Sequence, residues 1–386
     1  MAMPTTGLPA LLTLGRAIFH RLANLRRAAG PSLRHIDLFS ITLAEKGAPA
    51  GVLDTRSVDL KPGMKEWLST GFMIDEGQEM TLFTGGDVSV SRLVDIRLGP
   101  KAVLWFRIGR DGPMSKIVNV NQSIKAERQG ELLLALSPPG GWLNEAGDFN
   151  PSVVWRGATG CIRVMAVKWA KGAELGLTAL LPPDRTGLTK NAVLQHRYPR
   201  HVPEGWKYLW SLGEGEIYMP GSGPGHISCH TDRDVGILQI PADFPLDATT
   251  QLSWKWCATL LPSALREDIQ PTHDYLSIAV EFDNGLDLTY MWSSELPVDT
   301  IFQCPLPWWI DRETHWVIRS NPHQLGSWLP EDRNILSDYA RAIGGAAPAR
   351  IVKIWLIANS LFQRGEGKCD YSDILLRNRE RQLAIK

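Results

Sequence analysis

Beyond about residue 36 the chain alternates short apolar runs with polar breaks. Runs rich in Val, Ile and Leu occupy 88–90, 102–108, 131–136, 161–167, 276–282, 286–292 and 351–357. Gly85-Gly86-Asp87, Asp111-Gly112-Pro113 and Asn284-Gly285 punctuate them, which is turn chemistry between strands. Helical spacing is confined to the N-terminal segment, to 263–268 and to 334–343. No strand–helix–strand alternation occurs. The pattern therefore predicts an all-β chain of antiparallel β-sandwiches preceded by a short helical segment.

The stretch 171–205 has few strand signals and several breakers: Pro182, Pro183, Gly187, Pro199 and Pro203. It reads as a linker between sandwiches at 37–170 and 206–386, and 386 residues suit two domains. Residues 1–36 carry five Arg and no acid, with Leu8, Leu11, Leu12, Ile18, Phe19, Leu22 and Leu25 at helical spacing. A secretory signal needs an unbroken apolar stretch, and here Arg16, His20 and Arg21 interrupt it. The segment reads as a basic amphipathic helix docking on a domain or on a second protomer, giving a homo-oligomer; a membrane-surface helix is the alternative.

Charge narrows the partners. Lys+Arg and Asp+Glu are 41 each, so the expected partner is a small molecule and not a nucleic acid. No run of 18 apolar residues is present, so no membrane span is expected. Five scattered cysteines without a C-x-x-C pair suit free thiols in a reducing, cytoplasmic setting. Trp is in excess at 15, and indole is both a core filler and a platform for sugars or flat ligands.

Gly-Asp-Val-Ser-Val at 86–90, Leu-Trp-Phe-Arg-Ile-Gly at 104–109, Gly-Glu-Leu-Leu-Leu at 130–134 and Pro-Gly-Gly-Trp-Leu-Asn-Glu-Ala-Gly at 139–147 stand within 70–149. This segment resembles the PA-I galactophilic lectin type of galactose-binding-like sandwich. The resemblance implies a calcium loop built from an Asp and two consecutive Asn. This chain has Ser137, Asn144 and Glu145 there, and so lacks the leading carboxylate. The C-terminal half carries Leu-Ser-Trp-Lys-Trp at 252–256, His-Asp-Tyr-Leu-Ser-Ile-Ala-Val-Glu-Phe at 273–282, Leu-Thr-Tyr-Met-Trp at 288–292, Gly-Ser-Trp at 326–328, Arg-Asn-Ile-Leu-Ser-Asp-Tyr at 333–339 and Cys-Asp-Tyr-Ser-Asp-Ile at 369–374. It resembles an uncharacterised bacterial domain-of-unknown-function family, which implies a jelly-roll-like sandwich and no known reaction.

The candidate chemistry centres on the hairpin 275–292. A two-residue Asn284-Gly285 turn pairs Glu281 with Leu288, Ala279 with Tyr290 and Ser277 with Trp292. One face then carries Tyr275, Ser277, Glu281, Tyr290 and Trp292 as a groove. The other carries Leu276, Ile278, Val280, Phe282 and Met291 as core. A three-residue turn would slip the register by one, sending Tyr290 and Trp292 into the core and Glu281 to solvent. In the groove reading Glu281 and Asp274 are candidate acids or bases and His315 their complement. Arg319, Arg333 or Lys255 would hold an anionic group, and Trp254 with Trp256, or Trp308-Trp309, would stack on the substrate. His226, Cys229 and His230 do not converge on one strand face, so no metal is assigned there. Asp370 and Asp373 with Asp232 or Asp234 could frame a structural calcium; no other cofactor is expected. No Gly-x-Ser-x-Gly elbow, P-loop or Gly-x-Gly-x-x-Gly junction occurs. These features point to a cofactor-independent lyase, isomerase or hydrolase acting on a carbohydrate-like or aromatic small molecule. The alternative is a non-catalytic carbohydrate- or small-ligand-binding protein using Trp platforms.

Overall fold

A computed structural model describes residues 15–16, 32–91, 96–138, 141–144, 146–151, 153, 155, 157–197, 202–212, 216–306, 309–320 and 322–385. The residues described between 32 and 197 and those between 202 and 385 form two compact units. Both are built mainly of antiparallel sheets, as the alternating pattern predicts.

In the N-terminal unit, α1 (Leu33–Lys46) precedes β1 (Val52–Leu60), β2 (Leu68–Ile74), β3 (Glu79–Ser91), β4 (Ile96–Leu98) and the short α2 (Pro100–Val103). Then come β5 (Leu104–Ile108), β6 (Ser115–Lys116), β7 (Asn121–Lys125), β8 (Gly130–Leu136), β9 (Thr159–Trp169), α3 (Ala173–Leu180) and α4 (Leu188–Arg197). One sheet runs β1-β9-β3-β4 with β7 also on β3; the other runs β2-β8-β5-β6.

Strand was expected from residue 36, but the chain there is helical. Ile36, Phe39 and Leu43, at helical spacing, are buried on one face of α1, and the Phe39 ring lies 4.5 Å from Phe83. Except for 15–16 and 32–36, the helical segment expected over 1–36 lies outside the described residues. The stretch 171–205 is no open linker either. Ala173, Leu177 and Leu180 of α3 and Leu188, Ala192 and Val193 of α4 join α1 against Phe83, Met165, Val167 and Trp169. Pro182, Pro183 and Gly187 separate two short helices, and the breakers masked their spacing.

In the C-terminal unit the strands are β10 (Lys207–Ser211), β11 (Tyr218–Pro220), β12 (Ile227–Asp232), β13 (Val235–Pro245), β14 (Gln251–Leu260), β15 (Tyr275–Phe282) and β16 (Asp287–Ser293). They continue as β17 (Ile301–Gln303), β18 (Glu313–Ser320), β19 (Leu329–Asn334), β20 (Arg350–Asn359), β21 (Glu366–Arg377) and β22 (Gln382–Ala384), with α5 (Ile335–Ala342) after β19. A seven-stranded sheet, β10-β13-β20-β15-β16-β18-β17, and a six-stranded one, β11-β12-β21-β14-β19 with β22 on β21, contribute to one core. All these pairings are antiparallel except β16 with β18. The helical reading of 334–343 matches α5, whose N-cap Asn334 accepts from Ser337 N at 2.9 Å. That of 263–268 does not, because Ser263 Oγ accepts from Leu265 N and folds the segment into a local turn.

The 275–292 hairpin adopts the three-residue turn. Phe282 N donates to Leu286 O at 2.9 Å, and Gly285, at φ +80°, donates to Phe282 O. Asn284 is engaged elsewhere: its amide donates to Tyr339 Oη and accepts from Leu286 N. Leu276 therefore pairs with Trp292, Ile278 with Tyr290 and Glu281 with Asp287: of the two registers open from sequence, the one with Tyr290 and Trp292 in the core is adopted, and the groove of the other does not form. The reason is burial. This register sends Leu288, Tyr290 and Trp292 into the core with Leu276, Ile278, Val280 and Phe282, whereas the other would have sent Asp287 and Thr289 there.

Candidate functional site

The same slip gathers polar side chains on the outer face of the seven-stranded sheet. Tyr275, Ser277, Ala279 and Glu281 of β15 stand beside Asp287, Thr289 and Met291 of β16. Glu313 and His315 of β18 align with Asp287 and Thr289, and Lys353 and Trp355 of β20 align with Glu281 and Ala279. Irregular segments complete the set with His273, Cys304, Trp309 and Arg312.

These groups form one network. Tyr275 Oη and Thr289 Oγ1 donate to Glu313 Oε1 at 3.3 and 3.0 Å. Arg312 donates to Asp287 Oδ2 at 3.2 Å and to Glu281 Oε1 at 3.4 Å, and Lys353 Nζ lies 3.2 Å from Glu281 Oε2. The Arg312 guanidinium stacks 5.0 Å from the Trp309 ring and 5.3 Å from Trp355. His315 Nε2 is 3.3 Å from Glu313 Oε1 but off the line a hydrogen bond needs, and neither ring nitrogen has another polar partner. Phe302 stacks on that ring at 5.0 Å. Ser277 Oγ and Asp287 Oδ1 are likewise buried without a hydrogen bond. Asp287, His273 and His315 are fully buried, while Arg312 and Lys353 keep about a quarter to a third of their side chains exposed.

Burial, then the neighbouring Glu313 charge, pushes the Asp287 carboxyl well above the usual range despite Arg312. Burial also acts on Glu313, but the electrostatic pull of the neighbouring His315, with that of His273, outweighs it and holds that carboxyl low. Burial and the His315 charge bring His273 down to about 3.

Of the residues singled out from the sequence, Glu281, His315 and Tyr275 meet here. Asp274 is buried but turned away, accepting from the backbone N–H groups of Phe362 and Gln363 at 2.8 and 2.6 Å. Tyr290, Trp292, Trp254 and Trp256 are core, not walls or platforms. Arg333 pairs with Asp338, as does the Tyr290 hydroxyl. Arg319 pairs with Glu331 and Lys255 with Asp373. Trp309 is buried, and Trp308 and Glu145 lie outside the described residues. His226 faces Asp370 and His230 faces Glu366, while Asp232 bonds Arg233 and Asp234 bonds Val235 N; these acids face separate partners. Ser137 is buried, and Asn144 bonds Asp148. Asp287 stands out in the sequence only as one of the ionisable residues near the hairpin, without a role, and Glu313, His273, Cys304, Arg312 and Lys353 were missed as site members. All five cysteines are free thiols, and no described helix is long and apolar enough to cross a membrane.

No curated protein matches this chain. Among solved structures, it is similar to the N-terminal domain of EclA, a PllA-like lectin (13% identity, 31% of this chain, 98% of that one, TM-score 0.23). It is also similar to the xyloglucanase domain of NopAA from Sinorhizobium fredii (8%, 46% and 94%, 0.29). A tandem CBM22 domain of Xyn10C from Paenibacillus barcinonensis is a third (9%, 85% and 92%, 0.24). Residues 218–375 match the model of a family described as Protein of unknown function (DUF3047).

Proposed function

We propose that the C-terminal unit is a general acid–base enzyme, of hydrolase, lyase or isomerase type, centred on the outer-face cluster. One observation carries this reading: Ser277 Oγ and Asp287 Oδ1, both buried on the same sheet face, have no hydrogen bond. Each such atom costs about 1–3 kcal/mol, a cost that a bound substrate's hydroxyls would remove. Asp287 is the proton donor and Glu313, its neighbour on β18, the acceptor. Arg312 and Lys353, the partly exposed cations of the cluster, hold an anionic group. The substrate class is thus a polyhydroxylated, carbohydrate-like molecule carrying a carboxylate or similar anion.

The test is a panel of neutral glycosides and uronides, read by melting temperature and by product formation. A uronide that stabilises the protein and is consumed, with turnover at least ~100-fold slower in Asp287→Asn, supports the reading. A ligand recovered unchanged, a panel that neither binds nor reacts, or full turnover by Asp287→Asn overturns it.

Non-catalytic ligand binding is the second reading, and the N-terminal unit favours it. A groove of about 430 Å³ there is lined by Arg107, Ser115, Lys125 and Arg128, with Arg107 Nε buried and without a hydrogen bond. The guanidinium stacks 4.3 Å from Trp67, itself stacked on Trp142. Loss of ligand stabilisation in Arg107→Ala, with no product formed by the wild type, would select this reading.

A further inference from the structure

We infer that His273, Cys304 and His315 form a three-ligand binding site for a transition-metal ion of the zinc type. One nitrogen of each imidazole and the Cys304 sulfur lie within 4.8 Å of one another, and all three residues are buried. His273 Nε2 is 3.6 Å from Cys304 Sγ. A tetrahedral ion with bonds of about 2.3 Å to sulfur and 2.0–2.1 Å to nitrogen separates those two ligands by about 3.6 Å.

The hydrogen bonding around the cluster is arranged for coordination. His273 Nδ1 stands 2.6 Å from Glu267 O. A carbonyl can only accept, so Nδ1 carries the proton and Nε2 presents its lone pair toward Cys304. A backbone carbonyl fixing the far nitrogen is the usual support of a metal-bound imidazole. His315 supplies the independent sign: a fully buried ring, clamped by Phe302 and Tyr275, with neither nitrogen in a hydrogen bond. A metal would take the lone pair of one nitrogen.

The donor set selects the ion. Two imidazoles and a thiol that binds as thiolate suit zinc or its neighbours, and exclude calcium and magnesium, which want oxygen ligands. Glu313, beside His315, neighbours Asp287 across β16 and β18, so the site adjoins the acid–base pair. Any catalytic consequence rests on the function proposed above; the binding of the ion does not.

The experiment is metal analysis of the purified full chain together with cobalt(II) substitution. The expected result is one zinc per chain retained through gel filtration, and a cobalt derivative with a thiolate charge-transfer band and tetrahedral-type visible absorption. Cys304→Ser should abolish that band, and His315→Ala should weaken zinc affinity by at least ~10-fold. Should either variant fail to fold, wild type alone decides: chelation should lower its melting temperature and zinc restore it. Folded wild type that takes up no zinc from excess, or a cobalt spectrum without a thiolate band, overturns the site. The two proposals separate cleanly. One zinc with no turnover of any panel substrate removes only the acid–base reading, whereas turnover by a chain that cannot bind zinc removes only the metal.

Discussion

Asp274 was a candidate acid from sequence, and its observed bonding makes a sharper prediction. Its two oxygens accept from Phe362 N and Gln363 N, while Asn359 Nδ2 donates to His273 O and Gln363 Nε2 to Thr272 O. Residues 359–363 and 272–274 are thus stitched together at a fully buried position. In Asp274→Ala the two N–H groups lose charge-assisted bonds worth about 1.5–3 kcal/mol each. Relief of the carboxylate's own desolvation offsets part of that, leaving a net loss of about 2–4 kcal/mol. At about 2–4 °C per kcal/mol for a unit of this size, the melting temperature should fall by roughly 4–16 °C. Asp274→Asn should fall between, because the amide keeps one acceptor and turns its NH₂ toward the other donor. Calorimetry on the three proteins measures this. An Asp274→Ala melting temperature within about 1 °C of wild type, with turnover abolished, would refute the clamp and restore the catalytic assignment.

The remaining predictions concern the core, the turn and a buried acid. Trp254→Ala or Trp256→Ala should lower stability by about 3–5 kcal/mol in urea titration, since both indoles are buried; an unchanged midpoint would mean they are platforms after all. Gly285→Ala should cost about 1 kcal/mol from its φ of +80° alone, because an added Cβ meets nothing within 4 Å; no loss would argue against the three-residue turn. Burial raises Glu267 to about 7, against the hydrogen bonds it accepts from Ser293 and Ser294. The folded state therefore holds this proton where the unfolded chain, near 4.5, has released it. Stability from this group is complete below about 4.5 and declines as pH rises to about 7, by up to roughly 3 kcal/mol. Urea unfolding at pH 5 and 8 should show a smaller decline in Glu267→Gln, and parallel behaviour in both proteins would contradict it.

The strand pattern was legible, and so were the sandwich class and α5, because period-two burial and an Asn cap act within a few residues. The hairpin register stood open between two readings in the sequence, and the three-residue turn is the one adopted. Leu288, Tyr290 and Trp292 alternate with Asp287, Thr289 and Ser293, and only an odd-length turn sets the first three opposite Leu276, Ile278 and Val280. Weighting that alternation above the Asn-Gly dipeptide decides the register and sets Asp287 opposite Glu281 on the outer face. Glu313 and His315 likewise alternate with Trp316 and Ile318, so their shared face could have been read. His273 and Cys304 could not, because each sits in irregular chain, 31 residues apart, and only the tertiary fold makes them neighbours. The α1 and α3 helices were missed for a similar reason. Their apolar spacing is short, and its meaning depends on the sheet face it covers.

The parallel pairing of β16 with β18 has an evolutionary consequence. A strand cannot reach a parallel neighbour through a tight turn, so the chain must travel back along the sheet before entering β18. That return, residues 294–312, brings Cys304, Trp309 and Arg312 to side chains that the strands have already fixed. The carboxylates and His315 are therefore inherited with the sheet, while the thiol, the indole and the guanidinium are inherited with a connection whose one contribution to the sheet is the short edge strand β17. Relatives that keep the strands and exchange this connection would be variants of one chemistry addressed to different ligands, with the sheet as the conserved part and the return as the part selection can rewrite.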